Sequence, residues 1–356
     1  MNLRIKENFA LAPLTTLKVG GAARFFVEAK TEAEVSEALL FAKNQNTPLF
    51  VLGGGSNVLI ADSGFEGLVL KISLKGIVAH RENEKVTVTA KAGEDWDNFV
   101  KFCVEEKLQG IECLSGIPGT VGGTPVQNVG AYGQEVSETI ISVKVLETAA
   151  GKIYEMTNAQ CGFAYRASIF NTTSKNQFIV LEVKFQLISH GKPKIVYKDL
   201  REIFGEQTPT LEDTRQAVLK IRRAKSMVLD ANDPNSKSAG SFFKNPVVTR
   251  EMFREVEIKA RSLEIETVPR YDMDENRVKI PAAWLIEKSG FHKGCKRGKA
   301  GLSTNHTLAL INPGNAEARD ILNLKQAIQD RVREKFGVEL MPEPVFVGFC
   351  KPERRK

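Results

Sequence analysis

A glycine-rich but partly apolar run, Ser115–Gly133 (SGIPGTVGGTPVQNVGAYG), constrains the fold of this chain more than any other stretch. Six glycines and two prolines in nineteen residues exclude the interior of a regular helix or strand, because glycine loses much entropy on ordering and proline lacks an N–H donor. Apolar residues in the same run, such as Ile117 and Val121, argue against a solvated linker. A closely packed turn region and a loop whose peptide N–H groups face a ligand both fit this composition.

A second glycine cluster lies in Pro48–Asn57, PLFVLGGGSN. A strand that ends in a glycine turn with small polar residues commonly presents N–H groups to a phosphate. However, Val58 and Leu59 follow where a dinucleotide-binding βαβ unit would begin its helix, and no Gly-Lys-Ser/Thr sequence is present. Two glycine loops without a nucleotide-fold fingerprint favour a cofactor held between two lobes.

The bulk composition indicates a soluble globular protein of two or three domains. The chain has 356 residues, of which 42% are hydrophobic and 26% are charged. The formal net charge of +7 is partly concentrated in Lys293–Lys299 and in the tail Lys351–Lys356. We interpret these runs as solvated faces, with an anionic small ligand as the alternative. Nucleic-acid binding is not expected, because a dense basic stripe with interleaved aromatic residues is absent from the sequence.

Cysteine and histidine usage argues against a metal site. The five cysteines are widely spaced, none of them in a Cys-x-x-Cys pair, which disfavours disulfides and zinc and favours a reducing compartment. The four histidines lack metal-binding spacing. The N-terminus carries no apolar core typical of a secretory signal, and no run of about twenty apolar residues occurs. We therefore expect a cytoplasmic protein without membrane insertion.

The first part of the chain has a mixed α+β pattern. A strand is predicted at Ala22–Lys30, followed by a helix that begins with a capping box at Thr31–Glu34. Val35, Ala38, Leu39 and Ala42 share the predicted buried face of that helix. A second helix should bury Trp96, Phe99, Val100, Cys103 and Val104. Further strands are predicted at Leu49–Leu52, Leu68–Ile72, Val86–Ala90, Val143–Leu146, Lys152–Met156 and Phe178–Leu187.

A separate α+β domain is predicted after about Leu211. Its pattern begins with a helix at Leu211–Ser226 and a polar stretch at Ala231–Ser238 that is interpreted as a flexible connector. Further helices are predicted at Glu251–Ser262, Ala282–Lys288 and Asn315–Phe336, and a final strand at about Val345–Phe349.

Three short constellations carry side chains suited to chemistry. Arg166 in FAYRASIF can form a structural ion pair, or it can hold a carboxylate or enolate through two parallel hydrogen bonds. Ser241 in AGSFFKNP fits either an inward serine of a short strand or a reactive hydroxyl. Glu343 lies between two prolines in LMPEPVF, which suits a catalytic carboxylate or an ordinary edge turn. Gly-x-Ser-x-Gly is absent, so hydrolase chemistry is poorly supported.

These motifs together resemble the UDP-N-acetylenolpyruvoylglucosamine reductase (MurB) family. IPGTVGGTPVQNVGAYG, with GGGSN upstream and YRASIF and GSFFKNP downstream, follows the family's order over roughly Leu14–Gly348. The resemblance is to the subgroup with a substrate-closing tyrosine loop. It implies an α+β fold: a two-lobed FAD-binding region of the vanillyl-alcohol-oxidase (PCMH) type plus a C-terminal α+β substrate-binding domain. The implied boundaries are 1–75 for lobe 1, to which strand 340–350 returns, 76–205 for lobe 2 and 206–339 for the substrate-binding domain.

The resemblance also implies roles for individual residues. Arg166, Ser241 and Glu343 correspond to the family's catalytic arginine, serine and glutamate. The implied FAD contacts are Gly53, Gly54, Gly55, Ser56, Asn57, Ile117, Pro118, Gly119, Gly122, Gly123, Gln127, Asn128, Gly130, Ala131 and Tyr132. The implied substrate contacts are Tyr197, Arg222, Lys225 and Asn245. Met341 stands where many relatives carry a second glutamate, which puts the pose of Glu343 in question.

The implied activity is NADPH-dependent reduction of enolpyruvyl-UDP-N-acetylglucosamine to UDP-N-acetylmuramate through non-covalent FAD. The flavin N5 would deliver hydride to the vinyl methylene carbon, Arg166 and Glu343 would stabilise the enolate, and Ser241 would protonate the neighbouring carbon. A flavin oxidase is a second hypothesis, although neither glycine loop contains the histidine or cysteine that often tethers FAD covalently. A redox-silent nucleotide-sugar-binding protein is a third. A monomer is expected.

Overall fold

A computed structural model describes residues 3–349; Cys350 and the basic tail 351–356 lie outside the described residues. Seven α-helices lie within 3–349: α1 (Glu32–Asn44), α2 (Trp96–Glu105), α3 (Lys198–Phe204), α4 (Leu211–Ala224), α5 (Arg250–Ser262), α6 (Ala282–Lys288) and α7 (Ala318–Phe336). The strands are β1 (Lys6–Ala10), β2 (Ala22–Ala29), β3 (Leu49–Leu52), β4 (Val58–Ile60), β5 (Phe65–Ile72), β6 (Ile77–Glu82), β7 (Lys85–Lys91), β8 (Leu108–Gln109), β9 (Gly130–Ala131), β10 (Gln134–Glu135), β11 (Ile140–Glu147), β12 (Ile153–Thr157), β13 (Phe178–Ser189), β14 (Val247–Thr249), β15 (Tyr271–Asp272), β16 (Arg277–Lys279), β17 (Lys296–Arg297), β18 (Ala300–Leu302), β19 (Leu310–Ile311) and β20 (Val345–Val347). The predicted α+β class is confirmed.

The chain divides into two compact units. Unit 1 comprises residues 3–10, Ala22–Gly55 and Phe65–Leu229, and unit 2 comprises Leu11–Gly21, Ser56–Gly64 and residues 230–349. Among residues 3–349, no helix combines the length and the apolar composition that a bilayer crossing requires.

The first sheet of unit 1 has the order β1-β2-β5-β3, and α1 packs on β2 and β5. Strands β2 and β3 both run parallel to β5, while β1 is antiparallel to β2. Helix α1 begins as predicted: Thr31 Oγ1 accepts from Glu34 N–H, and the Glu34 carboxylate accepts from Thr31 N–H. The four residues predicted for its inner face, Val35 to Ala42, are buried.

The second sheet of unit 1 is antiparallel along β12-β11-β13-β7-β6, with β8 paired to β13. Helix α2 lies beside it, and the five residues predicted for its buried face are buried. Trp96 donates its indole N–H to Leu114 O at 3.0 Å, which satisfies the polar atom of a fully buried ring. Because Leu114 directly precedes the glycine-rich run, this bond ties the run to the core of unit 1.

Unit 2 is built around α5, α6 and α7 with two small sheets, β14-β16-β15 and β17-β18-β19. Its core contains Phe242 and Phe336. Strand β20 pairs in parallel with β4, so the C-terminal strand does pair with a segment from the N-terminal 75 residues. Both strands belong to unit 2.

The predicted domain boundaries 1–75, 76–205 and 206–339 remain a prediction. The two compact units of the structure divide the chain at other positions. Helix α4 groups with unit 1 rather than with the C-terminal residues. The reason is local: Leu211 joins the hydrophobic core of unit 1, and Arg215 forms a two-pronged ion pair with Asp97 of α2.

Two local predictions are wrong. The polar stretch 231–238 is not a flexible connector, because Asn235 and Ser236 are buried and Asn235 Oδ1 accepts from Thr304 N–H at 3.0 Å. Helix α7 begins at Ala318 rather than at Asn315. The Glu317 and Asp320 carboxylates form a reciprocal cap at its first turn, and this cap sets the start.

Candidate functional site

The two glycine loops lie directly against each other in unit 1. A Cβ added to Gly54 would lie 2.7 Å from Gly119 Cα, and one added to Gly53 would lie 2.8 Å from Thr120 Oγ1. Both distances are shorter than the contacts that real Cβ atoms make with other heavy atoms. Only glycine therefore lets the two loops approach so closely. Loops that expose backbone in this way suit a ligand that carries phosphates.

The longer of the two glycine loops, Ser115–Gly133, is the central loop, and it is anchored on the N-terminal end of α2. Val121 N–H donates to Glu94 O and Gly122 N–H to Ala92 O, each at 2.9 Å, and Gly116 N–H donates to Asp97 Oδ1 at 2.6 Å. Burial works to raise the pKa of the Asp97 carboxyl, but the hydrogen bonds from Arg215 and from Gly116 N–H outweigh it and leave the pKa below its ordinary value. A charged carboxylate therefore fixes the start of the loop.

Arg166 lies beside the same loop. Its Nη2 donates to Gly130 O at 2.6 Å and its Nη1 contacts Asn128 O at 3.5 Å. The guanidinium also lies over the Tyr165 ring, 5.5 Å from the centroid. Arg166 has a φ of +52°, which is uncommon for a residue with a side chain and places it in a backbone conformation that clusters at functional sites. The structure thus brings the predicted catalytic arginine to two predicted FAD-contacting residues.

Three of the four predicted substrate contacts gather around Tyr132 in unit 1. The Tyr132 and Tyr197 rings meet edge-to-face with centroids 5.2 Å apart. Lys225 Nζ forms an ion pair with Asp199 at 2.8 Å. Arg222 donates from Nη2 to Met227 O at 2.7 Å, while its Nε is buried with no hydrogen-bond partner among the described residues. An unpaired buried guanidinium nitrogen is costly, and this makes the cluster suited to an anionic ligand.

The electrostatics of this cluster reflect its burial. Burial lowers the pKa of the Arg222 guanidinium, and the neighbouring Tyr132 hydroxyl opposes that change. Burial also raises the pKa of Tyr132, against the effect of Arg222 and Lys225. For Lys225 burial acts to lower the pKa, but the hydrogen bond to Asp199 leaves it raised. The cluster therefore combines the cations of Arg222 and Lys225 with the Tyr132 hydroxyl and one carboxylate, that of Asp199, and its excess of positive charge favours phosphate oxygens.

Ser241 and Glu343 lie on adjoining segments of unit 2. Glu343 N–H donates to Phe242 O at 2.9 Å, and Lys244 N–H donates to Met341 O at 3.0 Å. These bonds pair the Ser241 segment antiparallel with the proline-flanked glutamate segment, and both Ser241 and Glu343 are half-buried. The serine and the carboxylate, 102 positions apart in the sequence numbering, are thus carried by one small paired structure.

Asn57 and Asn245 also lie in unit 2 and make structural bonds there. Asn57 Nδ2 donates to Glu343 O at 3.3 Å, and Val345 N–H donates to Asn57 O at 2.9 Å, so this predicted FAD contact also braces Glu343. Asn245 Oδ1 accepts from Ala282 N–H at 2.8 Å, which holds the first residue of α6. Ser56 O accepts from Thr16 Oγ1 at 3.5 Å.

The other predicted FAD contacts lie on the two glycine loops of unit 1 and differ in their exposure to solvent. Ile117, Pro118, Gln127 and Ala131 are half-buried, Gly123 is exposed and Gly55 is buried. Sequence reasoning missed Glu112, a fully buried carboxylate immediately before the central loop, and the Arg215–Asp97 ion pair. For Glu112 a signal existed, since one acid sits among apolar residues in GIECL.

Comparisons with known proteins match two families along this chain. Residues 233–347 match the family described as UDP-N-acetylenolpyruvoylglucosamine reductase, C-terminal domain, and residues 23–157 match the family described as FAD binding domain. These matches confirm the predicted FAD-binding region followed by a reductase-type C-terminal domain.

Individual relatives extend over nearly the whole chain. The UDP-N-acetylenolpyruvoylglucosamine reductase of Thermobifida fusca is 43% identical, over 98% of this chain and 99% of its own length. That of Saccharopolyspora erythraea is 44% identical over 95% and 94%. A solved structure of the Thermus caldophilus reductase (MurB) matches with a TM-score of 0.64 and 25% identity, covering 97% of this chain and 99% of its own.

Proposed function

Because this chain belongs to the UDP-N-acetylenolpyruvoylglucosamine reductase (MurB) family, we propose that it reduces UDP-N-acetyl-3-O-(1-carboxyvinyl)-glucosamine to UDP-N-acetylmuramate with NADPH as the electron source. The chain is an FAD-dependent oxidoreductase of peptidoglycan precursor synthesis that acts on small molecules. We also propose that NADPH is the reductant, and we propose the sites of hydride and proton transfer and the roles of the individual residues.

The observation that carries the proposal is the contact between the two glycine loops. FAD needs backbone N–H groups near its pyrophosphate and room for close approach, and the Gly53–Gly54 backbone abuts Gly119–Thr120 with no space for a Cβ. When bound, FAD would supply the redox chemistry that links oxidation of NADPH to reduction of the substrate's vinyl group. The protein supplies placement and electrostatics.

Arg166 is the proposed stabiliser of negative charge. Addition of hydride to the methylene carbon leaves an electron pair on the neighbouring carbon, delocalised into its carboxylate. Fixed positive charge directed at developing negative charge is usually the largest catalytic term. Arg166 is held against the central loop by Gly130 O at 2.6 Å, so its guanidinium is oriented before substrate arrives.

Ser241 is the proposed proton donor, and Glu343 is proposed to help Arg166 stabilise the enolate through a hydrogen bond. The Ser241 O–H bond breaks as a C–H bond forms on the enolate carbon, and solvent then returns a proton to the serine oxygen. A serine hydroxyl is a weak acid, but the enolate carbon that accepts its proton is a very strong base. The rate of proton transfer therefore depends on how the serine is positioned. Backbone pairing of the two segments, with Glu343 N–H on Phe242 O, supports a shared role for Ser241 and Glu343.

The cationic cluster of unit 1 is the proposed site for the substrate's diphosphate. Arg222 and Lys225 supply positive charge, and Tyr197 supplies a ring and a hydroxyl that close over the ligand. Arg222 Nε, which has no hydrogen-bond partner within residues 3–349, supports this assignment, because an anionic oxygen would satisfy it. Asn245, in unit 2, is a proposed substrate contact through its amide group.

The test begins with colour. The purified protein should be yellow and should release free FAD on denaturation. Without oxygen, NADPH should bleach the flavin, and the enolpyruvyl substrate should then restore its absorbance. If oxygen reoxidises the reduced flavin efficiently in the absence of this substrate, a flavin oxidase is favoured instead. A colourless protein that takes up no added FAD would reject the proposal.

Parallel anaerobic titrations with NADPH and NADH measure the preference between the two nucleotides. We further propose that the enzyme works in the cytoplasm, where both NADPH and nucleotide sugars are found, and that it is a monomer. Light scattering of the eluted holoenzyme tests the second point.

A further inference from the structure

Glu112 is a fully buried carboxylate that no part of the proposed mechanism uses. Its Oε2 accepts from Gly110 N–H at 2.8 Å, and its Oε1 accepts from Gln134 Nε2 at 2.8 Å and from Lys194 N–H at 3.2 Å. Gln134 is buried as well, and its Oε1 accepts from Cys113 N–H at 2.8 Å. Three converging N–H donors suit a carboxylate, which only accepts hydrogen bonds.

These bonds join three separate segments of unit 1. Gly110 and Cys113 lead into the central glycine loop, Gln134 follows its end, and Lys194 begins the approach to Tyr197. A buried acceptor that binds all three fixes their relative positions, since leaving any one donor unpaired inside the protein is costly.

The Lys194–Tyr197 segment is held on the central loop at its other end too. Gly133, with a φ of +84°, faces Val196 so closely that a Cβ would collide with the Val196 side chain. The Tyr197 ring meets the Tyr132 ring edge-to-face. Val196 and Tyr197 are nevertheless exposed, whereas Ile195 packs against the small core cluster that contains Cys113 and Leu200. Glu112 therefore holds the segment at its Lys194 end, and the end that carries the tyrosine leads into α3 at Lys198.

We infer that Glu112 is a positioning residue for substrate binding: it holds the Tyr197 segment in register with the central glycine loop. This inference rests on the proposed function, in which Tyr197 closes over the substrate. Glu112 acts through Lys194 N–H and does not touch the ligand. Its loss lets the segment shift, and substrate binding then includes the cost of ordering the segment.

Glu112→Gln is the direct test because glutamine keeps the shape but has only one acceptor oxygen. One of the three donors then faces an amide N–H₂ group. Substrate affinity is measured by titrating the oxidised holoenzyme and following the flavin absorbance. The dissociation constant should rise by up to roughly 5- to 150-fold, the range that one unsatisfied buried donor produces. Flavin reduction by NADPH should stay within about twofold of wild type.

A double-variant cycle separates positioning from general damage. In a Tyr197→Ala background, Glu112→Gln should change substrate affinity by less than about twofold, because the side chain that Glu112 positions is already gone. Hydrogen exchange should show faster exchange of the 194–197 amides in Glu112→Gln without substrate. Equal effects in both backgrounds, or equal loss in both half-reactions, would overturn the inference.

Glu138→Gln is the matched control. Glu138 forms an exposed ion pair with Lys194 Nζ at 2.7 Å and so touches the same segment from its solvated side. Exposed pairs contribute little, so substrate affinity should not change. A control effect as large as that of Glu112→Gln would also overturn the inference.

Two further arrangements keep the test decisive. Where Glu112→Gln does not fold, Gln134→Leu replaces it, because this change removes the donor that shares Glu112 Oε1 with Lys194 N–H. A smaller rise in the substrate dissociation constant is expected. That rise should again be absent in the Tyr197→Ala background. An unchanged constant would reject the role. If the wild-type enzyme is not reoxidised by the enolpyruvyl substrate, the proposed function fails; if it is and Glu112→Gln binds like wild type, only the Glu112 assignment fails.

Discussion

The Arg215–Asp97 ion pair predicts an asymmetric response to the loss of either partner. Arg215 Nη1 donates to Asp97 Oδ1 at 2.6 Å and Nη2 to Oδ2 at 2.9 Å, joining α4 to α2. The Arg215 side chain is 7% exposed, whereas that of Asp97 is 32% exposed. Asp97→Ala therefore leaves a buried guanidinium without its counter-charge. Arg215→Met leaves a carboxylate that water reaches and that Gly116 N–H still contacts.

The magnitudes follow from this difference in burial. Removing one partner of a buried pair costs about 3–5 kcal/mol because the remaining charge is uncompensated, and we assign this range to Asp97→Ala. For Arg215→Met we expect about 1–3 kcal/mol, since solvent screens the remaining carboxylate and methionine fills the apolar space. The double variant carries no uncompensated charge and should be more stable than Asp97→Ala alone.

Thermal unfolding of the holoenzyme at saturating FAD, followed by circular dichroism, measures the order of these variants. In a unit of this size about 1 kcal/mol corresponds to a shift in Tm of roughly 2–4 °C, so the two single variants should differ by several degrees. Lys101→Ala is the control, because it removes an exposed i,i+4 pair with Glu105 and should leave Tm unchanged. An Arg215→Met protein as unstable as Asp97→Ala, or a double variant less stable than Asp97→Ala, would refute the argument.

The same pair predicts a pH dependence. The pKa of Asp97 is lower in the folded protein than its ordinary value of about 3.9. The folded state therefore binds fewer protons at this group, and its contribution to stability is full above about pH 5 and is lost as the pH falls through the lowered folded pKa. The stability advantage of wild type over Asp97→Ala should accordingly shrink in acid and stay constant near neutral pH. A constant advantage at all pH values would contradict this sign.

The remaining predictions concern catalysis and cofactor binding. Ser241→Ala should leave flavin reduction by NADPH nearly intact while slowing flavin reoxidation by substrate about 10²–10⁴-fold; equal loss in both half-reactions in stopped-flow experiments would reject the proton-donor role. Tyr197→Ala should weaken substrate binding in titrations more than it slows NADPH oxidation, and unchanged affinity would count against closure. Gly54→Ala should raise the FAD dissociation constant roughly 5- to 150-fold, because its Cβ would lie 2.7 Å from Gly119 Cα. Gly151→Ala is the control: its Cβ meets open space, and the strain that its φ of +68° imposes on alanine is confined to the β11–β12 turn, outside both glycine loops, so FAD affinity should be unchanged. Equal affinities of the two variants would disprove the role of loop contact.

Local signals in the sequence predicted local structure well. The Thr31–Glu34 capping box and the apolar face of α2 depend on residues three or four apart, so the sequence contains everything needed to predict them. The stretch 231–238 was predicted wrongly because its order comes from Thr304, which is distant in sequence. The grouping of α4 with unit 1 likewise depends on Asp97, 118 positions away from Arg215.

The candidate site shows the same limit. Glycine content predicted that two loops would expose backbone, but not that Gly54 would abut Gly119, since that contact depends on how the sheets of unit 1 pack. The position of Arg166 beside Gly130 and the pairing of the Ser241 segment with Glu343 are also long-range contacts. The family resemblance supplied residue roles that stay predictions, and it gave no role to the two supporting carboxylates, Asp97 and Glu112.

Those carboxylates explain how a loop so rich in glycine can be rigid enough to bind a cofactor. Glycine favours disorder because its backbone has many conformations, so order must come from contacts outside the loop. Asp97 accepts from Gly116 N–H and Glu112 accepts from Gly110 N–H, which fixes the backbone on the approach to the loop at two amides. Each carboxylate also binds a second element, α4 through Arg215 and the Tyr197 segment through Lys194. Asp97 binds Gly116 inside the loop, whereas Glu112 binds Gly110 ahead of it and Lys194 on the approach to Tyr197. Variants of Asp97 should therefore affect FAD affinity and stability, and variants of Glu112 should mainly affect substrate affinity.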